Sequence, residues 1–323
     1  MPSLPTSFKL NNGLSIPSVG LGTWQSPKGQ VRDAVCAALK AGYRHIDCAW
    51  GYQNEGEVGE GIRLSGVPRE EIWITSKLFE FHHKHVRQAV EDTLQKLGVE
   101  YLDLYLMHWN VALEPDVPAD GSLPRAPKRK ENGKPIVDRE LSDNPLPCWR
   151  DLEALVDAGL VKSIGVSNFN IRRLRALLKD AKIKPVANQV ELSFTCPQPE
   201  LLKFCISQDV LPQAYSPLGS TGASHASLDA IEKLAKKHNC EGANILISWQ
   251  VARGANVLPK SVTASRIANN LKLVDLSDDE VAELEKQAAA QPFKKVCDQS
   301  EDFEYDIYEA DHPQNNDKAQ ANL

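Results

Sequence analysis

The stretch Gly20-Leu21-Gly22-Thr23-Trp24-Gln25 follows an early apolar run of the chain, and its reading decides the fold. A doubly wound dinucleotide-binding sheet carries G-x-G-x-x-G at this point, three glycines that let the backbone approach a pyrophosphate. Here only the first two glycines are present; Gln25 stands where the third would be. Working outward, short apolar runs at 19–21, 44–47, 72–76, 102–108, 161–166, 187–191, 210–215 and 256–258 read as strands. Segments of helical spacing separate them. Val31, Val35, Ala38 and Leu39 recur at steps of three and four, as do Val86, Val90, Leu94 and Leu97, and further helices start near Glu55, Trp149, Ile171, Pro199, Leu228 and Thr263. Eight strands alternating with eight helices predict a parallel sheet closed into a (β/α)8 TIM barrel, one domain over residues 1–311. An N-terminal β-hairpin precedes it, Phe8-Lys9-Leu10 and Leu14-Ser15-Ile16 around the turn Asn11-Asn12-Gly13.

Two segments fall outside this repeat. Residues 110–147 form a long loop after strand 4, rich in proline and charge. Following a strand's C-terminal end, it is expected to rise over the barrel mouth; a tolerated disordered insertion is the other reading. Residues 312–323 read as a flexible polar tail.

Of the 323 residues, 42% are hydrophobic and 25% charged, the balance of a water-soluble globular chain. A net charge of −6 argues against nucleic-acid binding, which needs a basic face to neutralise phosphates. Seven cysteines are scattered without a C-x-x-C pair, which fits a reducing, cytoplasmic setting. The expectation is also of no signal peptide, no membrane span and a monomer.

The chemistry-bearing block is Gly42-Tyr43-Arg44-His45-Ile46-Asp47-Cys48-Ala49-Trp50-Gly51-Tyr52-Gln53-Asn54-Glu55. Asp47 ends the second strand and Tyr52 follows on its loop; Lys77 ends the third strand and His108 the fourth. In a barrel these positions converge on one pocket. A phenol with a pKa near 10 is a weak acid, and a neighbouring ammonium is expected to lower it, with a carboxylate orienting that ammonium. An imidazole can hold a carbonyl oxygen beside the phenol. The set suits adding hydride to a carbonyl while protonating its oxygen.

These segments resemble the aldo-keto reductase family, and the resemblance extends over nearly the whole chain through VKSIGVSNFN (161–170), ANQVEL (187–192), AYSPLGS (214–220) and LPKSVTASR (258–266). It implies a catalytic tetrad of Tyr52, Asp47, Lys77 and His108, with Tyr52 as general acid and NADPH (or NADP+) as cofactor. By the same resemblance Ser167, Asn168 and Gln189 hold the carboxamide and Tyr215 stacks on the nicotinamide. Ser216, Leu218 and Ser220 line the pyrophosphate, and Lys260, Ser261, Thr263 and Arg266 surround the 2′-phosphate, with Asn270 near the adenine. Thr23 and Trp24 border the cofactor as well. Trp24, Phe79, Trp109 and Asn110 border the substrate pocket with the segment from Cys297. The implied reaction is reduction of a small-molecule carbonyl, an aldose, hydroxyaldehyde or other aldehyde, to its alcohol; run in reverse, the site would oxidise a polyol. A barrel that only senses NADPH is the rival of a different class.

Three positions depart from the family's pattern. Asn110 stands where proline is typical, Leu78-Phe79 where many relatives have a tryptophan, and Asn269 at a position that is often acidic. The acidic run Asp298-Gln299-Ser300-Glu301-Asp302, if packed at the mouth, would disfavour anionic substrates. The run His82-His83-Lys84-His85 reads as a solvated helix start rather than a metal site, because no ligand pattern accompanies it.

Overall fold

A computed structural model describes residues 3–219 and 225–309. The hairpin forms where read: β1 (Ser7–Lys9) pairs antiparallel with β2 (Ser15–Pro17), Phe8 opposite Ile16. Leu10 and Ile16 pack on Trp73, Leu104, Leu106 and Val186, so the hairpin plugs the N-terminal end of the barrel. The Asn11 side-chain amide donates to the carbonyls of Pro185 and Asp209, fastening the plug to two strand entries.

The barrel strands then follow as β3 (Leu21–Gly22), β4 (His45–Asp47), β5 (Trp73–Leu78) and β6 (Leu104–Met107). After the short strands β7 (Ala112–Leu113) and β8 (Val137–Asp138) come β9 (Ile164–Ser167), β10 (Ala187–Glu191), β11 (Leu211–Tyr215) and β12 (Asn256–Leu258). The sheet order is β3-β4-β5-β6-β9-β10-β11-β12, all neighbours parallel. Parallel bridges Val19–Val257 and Gly22–Lys260 join its two ends and close the barrel. The two glycines of the opening stretch serve this closure. A Cβ at Gly20 would stand 2.5 Å from Nδ1 of His45 and 2.9 Å from Cδ2 of Leu258. The first strand must be bare because large side chains from β4 and β12 fill the interior there.

Around the barrel, the helices Val31–Lys40 and Val86–Leu97 bury the stripes their spacing predicts. Besides the short helices Arg139–Asp143 and Ser300–Phe303, two longer ones escaped the periodicity reading. Gly242–Ala252 buries every residue from Asn244 to Val251, so it has no polar face to set a period. Asp278–Ala289 is charge-rich, but Ser277 and Glu280 cap its start reciprocally, a signal readable in sequence.

Residues 110–147 are an ordered arm rather than a structureless loop. β7 and β8 pair antiparallel, and bridges Pro115–Pro127 and Arg129–Pro135 continue the ladder. Lys134 Nζ donates to the Glu301 carbonyl at 2.7 Å, tying the arm to the C-terminal segment. No helix of the described residues is long and apolar enough to cross a membrane.

Candidate active site

Side chains alternate across a strand, so residues two apart share a face. On β4 and β5 this turns His45, Asp47, Thr75 and Lys77 inward. The middle of the barrel is therefore polar: His45 Nε2 lies 3.0 Å from Thr75 Oγ1, and Gln213 Nε2 donates to Asn256 Oδ1 at 3.1 Å. Gln189 Nε2 bridges upward, donating to Gln213 Oε1 at 3.3 Å and to Asp47 Oδ2 at 2.8 Å.

Above that layer the four expected residues meet. Lys77, fully buried, donates from Nζ to Asp47 Oδ1 at 2.6 Å, to the Cys48 carbonyl at 2.8 Å and to Tyr52 Oη at 3.4 Å. The Tyr52 and His108 rings meet edge to face, with centroids 5.8 Å apart. Tyr52 closes a 3-10 turn, Trp50–Tyr52, whose central Gly51 leaves room for the Phe79 ring: a Cβ there would lie 2.3 Å from Cε2 of Phe79.

Electrostatics sets the resting state of each group. Burial pushes the Tyr52 phenol up to about 12; Lys77 pulls the other way and is outweighed. The expectation of a lowered Tyr52 pKa is thus corrected, because desolvation of the phenolate exceeds the attraction of an ammonium already engaged by Asp47. Burial opposes the charge on Lys77, but Asp47 and Tyr52 together hold its pKa above the ordinary value. His108 is driven well below its usual range by burial and by Lys77, so its imidazole is neutral, with Nδ1 unpartnered.

A cleft of about 580 Å³ opens over these residues at the C-terminal end of the barrel. Its walls include Thr23, Trp24, Ser167, Asn168, Gln189, Tyr215, Ser216, Leu218, Lys260, Ser261, Thr263 and Arg266, gathered from five separate stretches of sequence. Asn168 (φ 61°) and Ser216 (φ 50°) sit in left-handed backbone that non-glycine residues rarely adopt. Strain of this kind collects at functional sites. The Tyr215 hydroxyl donates to Asn168 Oδ1 at 2.8 Å, fixing both groups. At the far end Lys260 Nζ donates to the Gln25 carbonyl at 3.1 Å, and among the described residues neither Lys260 nor Arg266 makes an ion pair. Two cations without a carboxylate partner among the described residues, at the end of a long cleft, fit a phosphate-bearing cofactor.

Other expected residues lie elsewhere. Asn270 is buried at the end of the helix Ala264–Asn270 and is not on the cleft wall. Ser220 and the 312–323 tail fall outside the described residues. Trp24, Phe79 and Trp109 line the cleft, but Asn110 points away, donating to the Ile307 carbonyl at 2.9 Å. The position beside His108 thus anchors the C-terminal segment. Asp298, Glu301 and Asp302 face solvent, and only Cys297 and Gln299 of that stretch reach the wall. The reading of His82-His83 as solvated is also corrected. Both are buried beneath the arm, with His82 Nε2 2.8 Å from the Pro124 carbonyl and its ring against Trp50. Glu80, which sequence reasoning passed over, is buried and lines the cleft.

A closed barrel with a phenol, a buried ammonium–carboxylate pair and a neutral imidazole at one end of a phosphate-compatible cleft defines a carbonyl-reductase class of site. The chain belongs to the aldo/keto reductase family, whose model matches residues 18–289. It is 43% identical over 276 residues to a glycerol 2-dehydrogenase (NADP(+)) of Saccharomyces cerevisiae, covering 84% of this chain and 88% of the relative. An aldehyde reductase of the same yeast is 42% identical over 90% of this chain and 94% of its own length. The solved aldose reductase of Schistosoma japonicum superposes with a TM-score of 0.84 at 37% identity, covering 94% of this chain and 97% of that one.

Proposed function

We propose that this protein reduces aldehydes with NADPH, and that Tyr52 delivers the proton. The observation that carries the reading is the placement of the Tyr52 hydroxyl, 3.4 Å from a buried, carboxylate-held Lys77 and beside a neutral His108, at one end of a cleft whose other end bears two cations with no ion pair among the described residues. NADPH, when bound, supplies the hydride. Lys260 and Arg266 would pair with its 2′-phosphate, which favours it over NADH. Ser167, Asn168 and Gln189 would meet the carboxamide, and Tyr215 would support the ring.

His108, uncharged, orients the carbonyl oxygen toward the phenol. With its pKa raised to about 12, Tyr52 stays protonated at neutral pH, the state a donor needs. The nascent alkoxide is far more basic than a phenolate, so the proton moves downhill from Tyr52 Oη to the substrate oxygen. The phenolate left behind faces Lys77, whose ammonium is kept charged and aimed by Asp47. The same groups run in reverse would oxidise an alcohol. We place this activity in a cytoplasmic monomer.

The test is NADPH consumption by purified protein on a panel of neutral aldehydes, aldoses and uronates, with Tyr52→Phe alongside. Saturable turnover, lost in Y52F while NADPH still binds, is the expected result. Tight NADPH binding without turnover on any carbonyl would replace this reading by cofactor sensing.

A further inference from the structure

Three basic side chains, Lys77, Arg173 and Arg253, are buried among the described residues. Lys77 belongs to the site, and Arg253 serves Gln250, Pro197 and Glu285, none of which reaches the cleft. Arg173, on the helix Ile171–Asp180, has no part in the chemistry above, yet every nitrogen of its guanidinium is engaged. Nη1 donates to the Asn110 carbonyl at 3.1 Å and to the Ser142 carbonyl at 2.6 Å. Nη2 donates to the Tyr305 hydroxyl at 2.6 Å, and Nε to Glu309 Oε1 at 3.2 Å. A buried guanidinium is costly to desolvate, and its planar fork suits holding several acceptors in fixed directions. One of those acceptors, Asn110, stands two residues after His108.

His108 needs such a hold. Among the described residues its ring Nδ1 makes no hydrogen bond, so no partner on that nitrogen sets the direction of the imidazole. Its aim therefore depends on ring packing against Tyr52 and Phe79 and on where the backbone is held. The His108 amide donates to the Leu78 carbonyl of β5 at 3.1 Å, and the His108 carbonyl accepts from Asn168 Nδ2 at 3.0 Å. Two residues on, with β6 already ended at Met107, the Asn110 carbonyl is held by Arg173. We propose that Arg173 is a positioning residue for His108: by fixing the main chain at Asn110 it keeps the imidazole aimed at the carbonyl oxygen beside Tyr52. The inference rests on the reductase reading above and adds a residue to its machinery. Ser142 on the arm, with Tyr305 and Glu309 on the C-terminal segment, braces the guanidinium so that the hold is itself rigid.

The experiment places Arg173→Met in wild type and in His108→Gln, and measures single-turnover NADPH oxidation on an aldehyde from the panel above. Enzyme is in excess over NADPH, so that slow variants stay readable. A displacement of about 1 Å at a catalytic group costs about 100-fold, so R173M alone should slow the reaction by about 10- to 100-fold. NADPH affinity, titrated separately, should be unchanged. In H108Q there is no imidazole left to aim, and R173M should cost little more, the non-additivity of two residues that act through one group. Arg173→Lys keeps the charge but not the fork and should also slow the reaction. If thermal unfolding shows that R173M does not fold, R173K carries the same comparison. Equal slowing in both backgrounds would make Arg173 a purely structural residue and overturn the proposal, as would an Arg173 variant as fast as wild type. No turnover by wild type on any aldehyde would instead sink the reductase reading itself, a distinguishable failure.

Discussion

Lys77→Met deletes one charge of a pair that water does not reach. Lys77 is 0% and Asp47 3% exposed, with Nζ 2.6 Å from Oδ1. After the substitution the carboxylate keeps only Gln189 Nε2, at 2.8 Å on its other oxygen. Removing one member of a buried pair costs about 3–5 kcal/mol, because the survivor is an uncompensated charge. At about 2 °C per kcal/mol for a large domain, the thermal midpoint should fall by roughly 6–10 °C. Asp47→Asn combined with Lys77→Met removes the orphaned charge too, and should be more stable than K77M alone by about 1–3 kcal/mol. Turnover should behave differently. Without the ammonium, nothing offsets burial on the Tyr52 phenol or steadies its phenolate, so kcat should drop by about 100- to 10,000-fold, the scale of acid–base catalysis. The double variant should not recover it. Thermal unfolding and steady-state kinetics on the same preparations separate the two effects. A double variant no more stable than K77M would refute the orphaned-charge argument, and one that regained turnover would show that Lys77 acts only by holding the fold.

Gly51→Ala puts a methyl 2.3 Å from Phe79 Cε2, so the Phe79 ring or the Tyr52 turn must shift; we expect about 1–3 kcal/mol of destabilisation and a lower kcat, read by denaturant titration and kinetics. Arg266→Ala should weaken NADPH binding by about tenfold or more, the worth of a charged hydrogen bond, while NADH binding barely changes; equal loss for both in a fluorescence titration would contradict the 2′-phosphate assignment. Glu80→Gln should stabilise the protein increasingly with pH. Glu80 titrates near 4.5 when unfolded and at about 8 when folded, so wild type loses about 1.4 kcal/mol per pH unit across that window, and E80Q does not. A midpoint difference between E80Q and wild type that stays flat from pH 5 to 8 would contradict this.

The fold was legible because its decisive signals are local. A missing third glycine at Gln25 and eight apolar runs of strand length needed no knowledge of tertiary contacts. The tetrad was legible for a related reason, since strand ends are fixed by the same runs and a barrel brings them together. What stayed hidden depends on contacts between distant segments. Nothing near Asn110 announces that its amide is used by Ile307, 197 residues away. The buried state of His82 and His83 depends on the arm that covers them, and the solvent-facing side of Asp298, Glu301 and Asp302 depends on how the terminal segment lies. The Tyr52 shift was misjudged because sequence supplies the neighbouring charge but not the depth of burial that outweighs it.

The polar column inside the barrel explains why the hairpin plug and the site belong to one design. An interior of His45, Thr75, Gln213, Asn256 and Gln189 is costly to desolvate, and each of these groups is met by a hydrogen bond within the column. Such a network gains rigidity only when every member is satisfied. Below it, Leu10 and Ile16 seal the barrel with apolar contacts, so water does not compete from the N-terminal side. Above it, the network ends on Asp47 and, through Asp47, on Lys77. A buried lysine at a strand end breaks the pattern of apolar strand interiors, and such local violations concentrate at functional sites. Here the violation is tolerated because the column beneath holds the Asp47 carboxylate from Gln189, leaving its other oxygen to aim the ammonium at Tyr52.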